Sequence, residues 1–381
     1  MSRGLYIHIP FCKSRCIYCG FYSTTFLSLQ DRYTDALCHE MELRSFKDLQ
    51  ASEPRLSTIY LGGGTPSLLS PRNIKQLFLY INNVYGQEMT TEDWKQMEVT
   101  MECNPDDISD EFCNVLRQLP VNRISMGVQT FSDDRLRFLH RRHTVKQVEE
   151  AVKRIRDCGI KNISIDLMFG FPNEKTSEWE EDIRHALSLN VEHISAYSLM
   201  YDEGTRLDEM RKQHLLKELD EEVSLQMYEM LMDKLTLAGY EHYEISNFAL
   251  PGYRSRHNSS YWQNTPYIGI GAAAHSYDLH KRQWNIADIR EYMDSIEKGI
   301  IPCEYEVIDE DMHYNDLITT ALRTKEGICL NVLPEKYKSY LIRNAQRHIE
   351  NQLLTIDDGR LHLTRKGIFV SDDIMSDLIF V

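Results

Sequence analysis

The chain has 381 residues and a formal net charge of −15, with 42% hydrophobic and 27% charged residues. That length buries a large core and suits roughly two or three domains, or one α/β barrel with an appendage, and the composition excludes a disordered chain. The acidic field repels polyanions, so no nucleic acid partner is expected, and the longest weakly polar stretch, Tyr267 to Ala274, is far short of the ~18 apolar residues of a membrane span.

No charged segment followed by an apolar signal core opens the chain, so a cytoplasmic location is expected, with peripheral membrane contact left open. The first apolar run, Leu5-Tyr6-Ile7-His8-Ile9-Pro10-Phe11, is rich in β-branched and aromatic residues and predicts a strand. Cys12, Cys16 and Cys19 follow on the loop leaving it, with the spacing C-x3-C-x2-C. Three thiolates on one tight loop can converge on one metal centre, and an iron–sulfur cubane held by three cysteines keeps one iron open to an exogenous ligand. Residue type alone leaves a zinc site as the alternative, although such sites usually pair two C-x2-C motifs and this chain has no second pair. The other six cysteines, Cys38, Cys103, Cys113, Cys158, Cys303 and Cys329, read as free buried thiols.

Helix and strand signals then alternate. Leu29 to Leu49 predicts a helix, and Leu56 to Leu61 a strand that runs into Gly62-Gly63-Gly64-Thr65-Pro66, where missing β-carbons let a ligand approach the backbone. Further helices are expected at Asn73 to Val84, Asp110 to Leu119, Val145 to Cys158, Glu178 to Leu189 and Glu221 to Ala238. Strands are expected at Met97 to Met101, Arg123 to Gly127, Asn162 to Phe169 and His193 to Leu199. Six strand–helix repeats require parallel pairing through right-handed crossovers, which predicts a full or partial α/β barrel. Ligands collect at the C-terminal strand ends of such barrels, and those ends carry Glu102, Asn104, Gln129, Asp166 and Ser198. A basic group at Arg137, Arg141, Arg142 and His143 reads as a solvated helix end.

From Tyr240 to Tyr277 the chain is dense in aromatics, histidines and small residues with little helical periodicity, which suits strands and loops lining a cavity for a flat apolar ligand. From about Asp309 two helices, a hairpin turning at Asp358-Gly359 and a terminal helix have a winged-helix-like order, read as a protein-contact or lid module. The expected division is 1–240 for the barrel, 241–305 for its extension and 306–381 for an appended α+β domain.

C-x3-C-x2-C with Tyr18 before its last cysteine resembles the signature of radical S-adenosylmethionine (SAM) proteins. Together with G-G-G-T-P, E-C-N-P, G-V-Q-T-F, I-D-L-M-F-G-F-P and H-N-x2-Y-W, the chain resembles the oxygen-independent coproporphyrinogen III oxidase group, and more closely its HemW branch of haem chaperones. The resemblance implies a partial (β/α)6 TIM-like barrel, a [4Fe-4S] cluster on Cys12, Cys16 and Cys19, and SAM on the open iron. In the oxidases the positions matching Tyr6, Gly63 and Glu102 contact that SAM. Those matching Tyr18, Gly64, Thr65, Gln129, Arg141 and Asp166 contact a second one.

The chain departs from the oxidases at Phe21, where they have a further cysteine, and phenylalanine can neither ligate metal nor serve as a redox thiol. The H-N-x2-Y-W motif at His257 to Trp262 belongs to the chaperone branch. It makes His257 the expected haem ligand, with Tyr261 and Trp262 flanking the macrocycle and His242 and His275 as competitors for the iron. The implied function is haem binding and transfer to an acceptor haemoprotein. Radical decarboxylation of coproporphyrinogen III is the alternative, and a homodimer stays open.

Overall fold

The computed structural model describes residues 3–45, 56–86 and 90–381. The strands of its main sheet are β1 (Arg3–Ile9), β2 (Leu56–Gly63), β3 (Glu98–Cys103), β4 (Arg123–Gln129), β5 (Asn162–Phe169), β6 (His193–Ser198), β7 (Glu241–Glu244), β8 (Asn247–Ala249), β9 (Tyr267–Ile270), β10 (His275–Tyr277), β11 (Lys281–Asn285) and β12 (Cys303–Val307). They lie in the order β12-β11-β10-β9-β1-β2-β3-β4-β5-β6-β8-β7. β1 to β6 are parallel in chain order and form the open, partial (β/α)6 barrel, while β9 adds a parallel partner on the other edge of β1. The remaining neighbours pair antiparallel.

A two-residue alternation divides the strands between two tasks. Leu5, Ile7, Ile59, Leu61, Ile163 and Ile165 are fully buried and join the apolar core under the helices. The intervening residues are largely polar and bond between neighbouring strands on the inner face: Tyr60 bonds Glu102, and Ser164 bonds His193. A sheet covered on both faces usually reads as continuously apolar, so this polar inner face marks the lumen as the working surface. The outer helices start on side-chain caps. Ser70 accepts from Asn73 N–H ahead of Pro71–Tyr85, and Thr144 with Gln147 makes a capping box on Val145–Asp157.

The C-terminal part follows the order helix Glu310–Ala321, β13 (Ile328–Cys329), helix Glu335–Glu350, β14 (Leu354–Asp357), β15 (Arg360–Leu363) and helix Ser371–Leu378. Its three strands pair as β13-β15-β14, and the hairpin turns at Asp358 and Gly359, both with positive φ, as a primed turn demands. Tyr314, Ile318, Leu341, Leu361 and Ile374 build a separate apolar core here. This is the winged-helix-like α+β unit that the element order predicts.

Several expectations need correction. The helix read from Leu29 runs as Gln30–Leu43, and positions 46–49 lie outside the described residues. The H-N-x2-Y-W segment is not strand or loop but the short helix Arg256–Trp262, capped by Ser255. Of the six cysteines read as buried, Cys158 and Cys329 are half-buried, and Cys303 is exposed on β12. Of the basic group read as a solvated helix end, Arg137 is exposed at the end of its helix beside Asp134, whereas Arg142 pairs with Asp106 and Asp107 and His143 is buried.

The β9 edge is locked to the barrel by one buried carboxyl group. Glu40 accepts from Gly271 N–H at 2.8 Å, Tyr292 OH at 2.6 Å, Asn285 Nδ2 at 2.8 Å and Arg44 Nε at 2.8 Å. Removing it strands four donors in a dry environment. Glu40→Ala is expected to lower the unfolding free energy by about 3–5 kcal/mol, whereas Glu42→Ala, on the exposed face of the same helix, should stay within about 0.5 kcal/mol of the parent. Denaturant titration checks this, and similar midpoints for both variants would contradict it.

Candidate functional site

The three-cysteine loop leaves the C-terminal end of β1 and is tied down at several points. Cys12 N–H donates to Thr24 O at 2.9 Å, Thr24 N–H to Pro10 O at 2.7 Å, Ile17 N–H to Leu139 O at 3.3 Å and Leu207 N–H to Ile17 O at 2.9 Å. Between the second and third cysteines, Ile17 plugs a small core with Leu139, Met168, Phe171, Leu199 and Leu207. This anchor has no signal in the sequence, because one isoleucine in a polar loop has no periodicity to betray it.

All three cysteines are half-buried, and burial pushes the Cys12 and Cys19 thiols up, so ligation there would release protons. Arg141 Nη1 lies 3.6 Å from Cys16 Sγ, while its Nη2 donates to Asn104 Oδ1 and Gly127 O, both at 2.6 Å. Asn104 Nδ2 donates to Thr65 Oγ1 at 3.2 Å, and Thr65 Oγ1 lies 3.7 Å from Cys12 Sγ. A polar chain thus joins Cys12 to Cys16 through Thr65, Asn104 and Arg141. Among the described residues no three His, Cys, Asp or Glu side chains converge on a single-ion position. In a cubane the three cysteines ligate three different irons. The donor set and the guanidinium, which offsets thiolate charge, fit a [4Fe-4S] cluster.

Beside this loop the end of β2 approaches so closely that only glycine fits. A β-carbon on Gly64 would fall 2.7 Å from the Pro10 carbonyl carbon, and one on Gly63, where φ is +113°, would strike the His8 ring at 2.5 Å. Glu102 accepts from Gly63 N–H at 3.0 Å and Tyr60 OH at 2.7 Å. Burial, with a smaller push from nearby Asp166, raises its pKa to about 7 against those two bonds. Asp166 is itself raised to about 6 by burial, opposed by the Ser195 hydroxyl. Gln129 sits at a register shift in β4 with φ +70°, a local bulge that re-aims its side chain. Gln129 Nε2 and Arg141 Nη2 would both lie 2.9 Å from a β-carbon at Gly127. Tyr18 packs against the Ile17 plug. The rim therefore gathers Gly63, Gly64, Thr65, Glu102, Asn104, Gln129 and Arg141 around the cysteine loop, and Tyr60, which orients Glu102, joins them without any motif of its own.

A cavity of about 680 Å3 opens beside the loop, and its wall begins at Gly20 and Phe21, immediately after Cys19. Tyr6, Tyr261, Trp262 and Tyr267 supply aromatic surface, β10 and β11 supply His275, Tyr277 and Arg282, and the C-terminal unit closes one side with Asp316 and Thr320. Phe21 is 72% exposed there. Arg282 donates to both Asp316 oxygens, at 2.7 and 2.5 Å. That pair joins two separately folded parts, so no local pattern could announce it.

His257 is not in the cavity. It is 1% exposed, Nδ1 shares a hydrogen bond with Thr58 Oγ1 at 2.8 Å and Nε2 one with Tyr261 OH at 2.9 Å. Its ring stacks on Tyr60 at 5.0 Å, and burial holds its pKa down at about 3. Both ring nitrogens are hydrogen-bonded inside the protein, and through Nε2 His257 contacts Tyr261 of the cavity wall, one side chain behind it. Tyr261 and Trp262 do reach the cavity wall. His242 is also committed, stacked on Phe248 at 4.3 Å and bonded to Ile245 O at 3.2 Å.

Replacing Cys12, Cys16 or Cys19 by alanine is expected to abolish the absorbance near ~400 nm of a reconstituted iron–sulfur cluster, while Cys303→Ala keeps it. Anaerobic reconstitution with iron analysis checks this. A full cluster in the triple variant would contradict the assignment.

Residues 6–186 match the model of the radical SAM superfamily. The chain is 34% identical to the heme chaperone HemW of Lactococcus lactis over 99% of its own length and 97% of that protein. It is 36% identical to the heme chaperone HemW of Bacillus subtilis over 98% of each. The structure described as "Coproporphyrinogen III oxidase (HemN) from Escherichia coli is a Radical SAM enzyme" superposes with a TM-score of 0.84 at 20% identity, covering 99% of this chain and 90% of that one, a likeness of fold. Radical SAM membership implies SAM and a [4Fe-4S] cluster as cofactors, and with near full-length identity above a third to two of its members, the chain belongs to the HemW family of radical SAM proteins.

Proposed function

We propose that the protein is a haem chaperone, binding haem in the cavity beside the cysteine loop and passing it to an acceptor haemoprotein. One observation carries the reading: a large aromatic cavity starts at the residue after Cys19 and is lined there by exposed Phe21 instead of a thiol. A porphyrin is flat and apolar with carboxylates at one edge, and stacked aromatic walls with an arginine suit such a guest. The names of the two near full-length relatives agree.

When bound, a [4Fe-4S] cluster on Cys12, Cys16 and Cys19 supplies one open iron for SAM. The chain's own groups position what binds there. Tyr6, Gly63 and Glu102 bracket the place for SAM on the cluster, and Glu102 accepts hydrogen bonds from ribose hydroxyls once it has lost its proton, as its pKa near 7 allows at neutral pH. Tyr18, Gly64, Thr65, Gln129, Arg141 and Asp166 would serve a second SAM. Arg141 Nε is buried without a hydrogen-bond partner among the described residues, and such a group is better satisfied by a ligand carboxylate than left alone.

No helix among the described residues is long and apolar enough to cross a membrane. The net charge of −15 and the internal pairing of the Arg137 to His143 group argue against nucleic acid as the acceptor. A cytoplasmic location, a homodimer and peripheral membrane contact belong to the same proposal and await direct tests.

Cluster-loaded protein, titrated anaerobically with haemin, should show a saturable Soret shift and then lose the pigment to an added apo-haemoprotein. The same preparation with SAM and a reductant should consume no coproporphyrinogen III. Absence of saturable haem binding, or sustained decarboxylation of the porphyrinogen, would reverse the reading in favour of the oxidase.

A further inference from the structure

We infer that Arg282 is the carboxylate anchor of the cavity, and that a porphyrin propionate takes its guanidinium over from Asp316 of the C-terminal unit. The inference rests on the haem-binding reading and adds to it the group that recognises the acid edge of the guest. Among the described residues lining the cavity, Arg282 is the one cation of fixed charge and Asp316 the one carboxylate. Their side chains are 34% and 22% accessible, so a dissolved carboxylate reaches the pair. An ion pair in contact with water adds little stability, and exchanging one carboxylate for another conserves the charge at the guanidinium.

Strand pairing sets Arg282 at the end of a graded row. Tyr267 on β9 pairs with Tyr277 on β10, Tyr277 with Arg282 on β11, and Arg282 with Glu306 on β12. Residues directly opposite on neighbouring strands share one face, and the two strand spacings from β9 to β11 span about 10 Å. Tyr267 meets Tyr261 edge-on, with ring centroids 4.6 Å apart, so the row begins in the aromatic wall and ends on a cation. Tyr277, directly across from Arg282, is buried, and its hydroxyl has no hydrogen-bond partner among the described residues. A carboxylate seated on Arg282 gives that donor an acceptor. Glu306 Oε2 lies 3.5 Å from Arg282 Nη1, but Glu306 does not line the cavity, so it steadies the guanidinium without taking the guest's place.

The C-terminal unit keeps other ties to the barrel when Asp316 lets go. Ile245 N–H donates to Arg323 O and Lys325 N–H to Tyr243 O, both at 3.0 Å, and Arg254 Nη1 donates to Glu326 at 2.7 Å. Asp316 stands on helix Glu310–Ala321, one turn before Thr320, which also lines the cavity. The exchange therefore loosens the cavity face of the unit and not its whole interface. The guest that fits is a flat apolar ring against Tyr6, Tyr261 and Tyr267 with a carboxylate at its edge.

The test uses cluster-loaded protein under anaerobic conditions and titrates parent, Arg282→Gln and Asp316→Asn with haemin and with haemin dimethyl ester, which keeps the ring and iron but carries no carboxylate. Arg282→Gln should weaken haemin binding at least about tenfold and leave binding of the ester as in the parent. Asp316→Asn breaks the same ion pair but frees the guanidinium, so it should bind haemin at least as tightly as the parent, again with the ester unchanged. Unaltered haemin affinity in Arg282→Gln would overturn the assignment, although the chaperone reading stands. Equal weakening of haemin and ester in that variant, or weakening of haemin by Asp316→Asn to the same degree, would also overturn it, since both mark the pair as merely structural. A parent that binds neither pigment removes the functional reading itself.

Discussion

Everything at the rim depends on how closely the end of β2 lies against the end of β1. Gly64 N–H donates to Ile9 O at 2.8 Å, and the space beside it is filled by the Pro10 and Phe11 backbone, so a side chain at position 64 would push the cysteine loop off the sheet. Because β1 is paired on both edges, by β2 and β9, the loop leaves from a rigid strand and not from a free edge. A cluster held by one short loop needs that rigidity, since its three ligands come from only eight consecutive residues. The glycine run expected to admit a ligand thus has a second task, the seating of backbone on backbone.

Between the strands the barrel holds an unusual amount of buried charge for a sheet covered on both faces. Arg123, fully buried with Nε and Nη1 lacking hydrogen bonds to described residues, opposes part of the rise in pKa that burial imposes on Glu102 and Asp166. The same cation helps burial hold His257 and His193 neutral. A lumen arranged this way gives up apolar burial in order to place carboxyl groups that change protonation near neutral pH, which is the usual mark of a binding interior. The cavity next door follows a different logic, with aromatic walls and one ion pair, Arg282 with Asp316, joining barrel to C-terminal unit.

The six barrel repeats were legible because the helices carry apolar stripes and glycines or polar residues stand at or just after several strand ends, as at Gly62 to Gly64 and Asn104. The flanking strands β9 to β12 were not, since they are three to five residues long and mix polar with apolar positions. The short helix at His257 had a physical signature in the sequence. His257 and Tyr261 are four residues apart, and on a helix that spacing stacks them on one face, where Tyr261 OH meets His257 Nε2. Read as helix, the motif already describes the hydrogen bond between them. Cavity partners such as Arg282 and Asp316 come from separate units 34 positions apart in the chain, and no local pattern connects them.

The central claim, that haem occupies the cavity between the cysteine loop, β9 to β11 and the C-terminal unit, is tested most directly by amide hydrogen exchange with mass spectrometry on cluster-loaded protein, with and without haemin. Exchange reports local opening segment by segment. The account predicts that haemin slows exchange in peptides spanning Gly20 to Tyr22, Tyr261 to Tyr277 and Asp316 to Thr320, and leaves the outer helices Pro71–Tyr85 and Val145–Asp157 unchanged. Protection confined to other segments, with these three unaffected in protein that demonstrably carries haem, would contradict it.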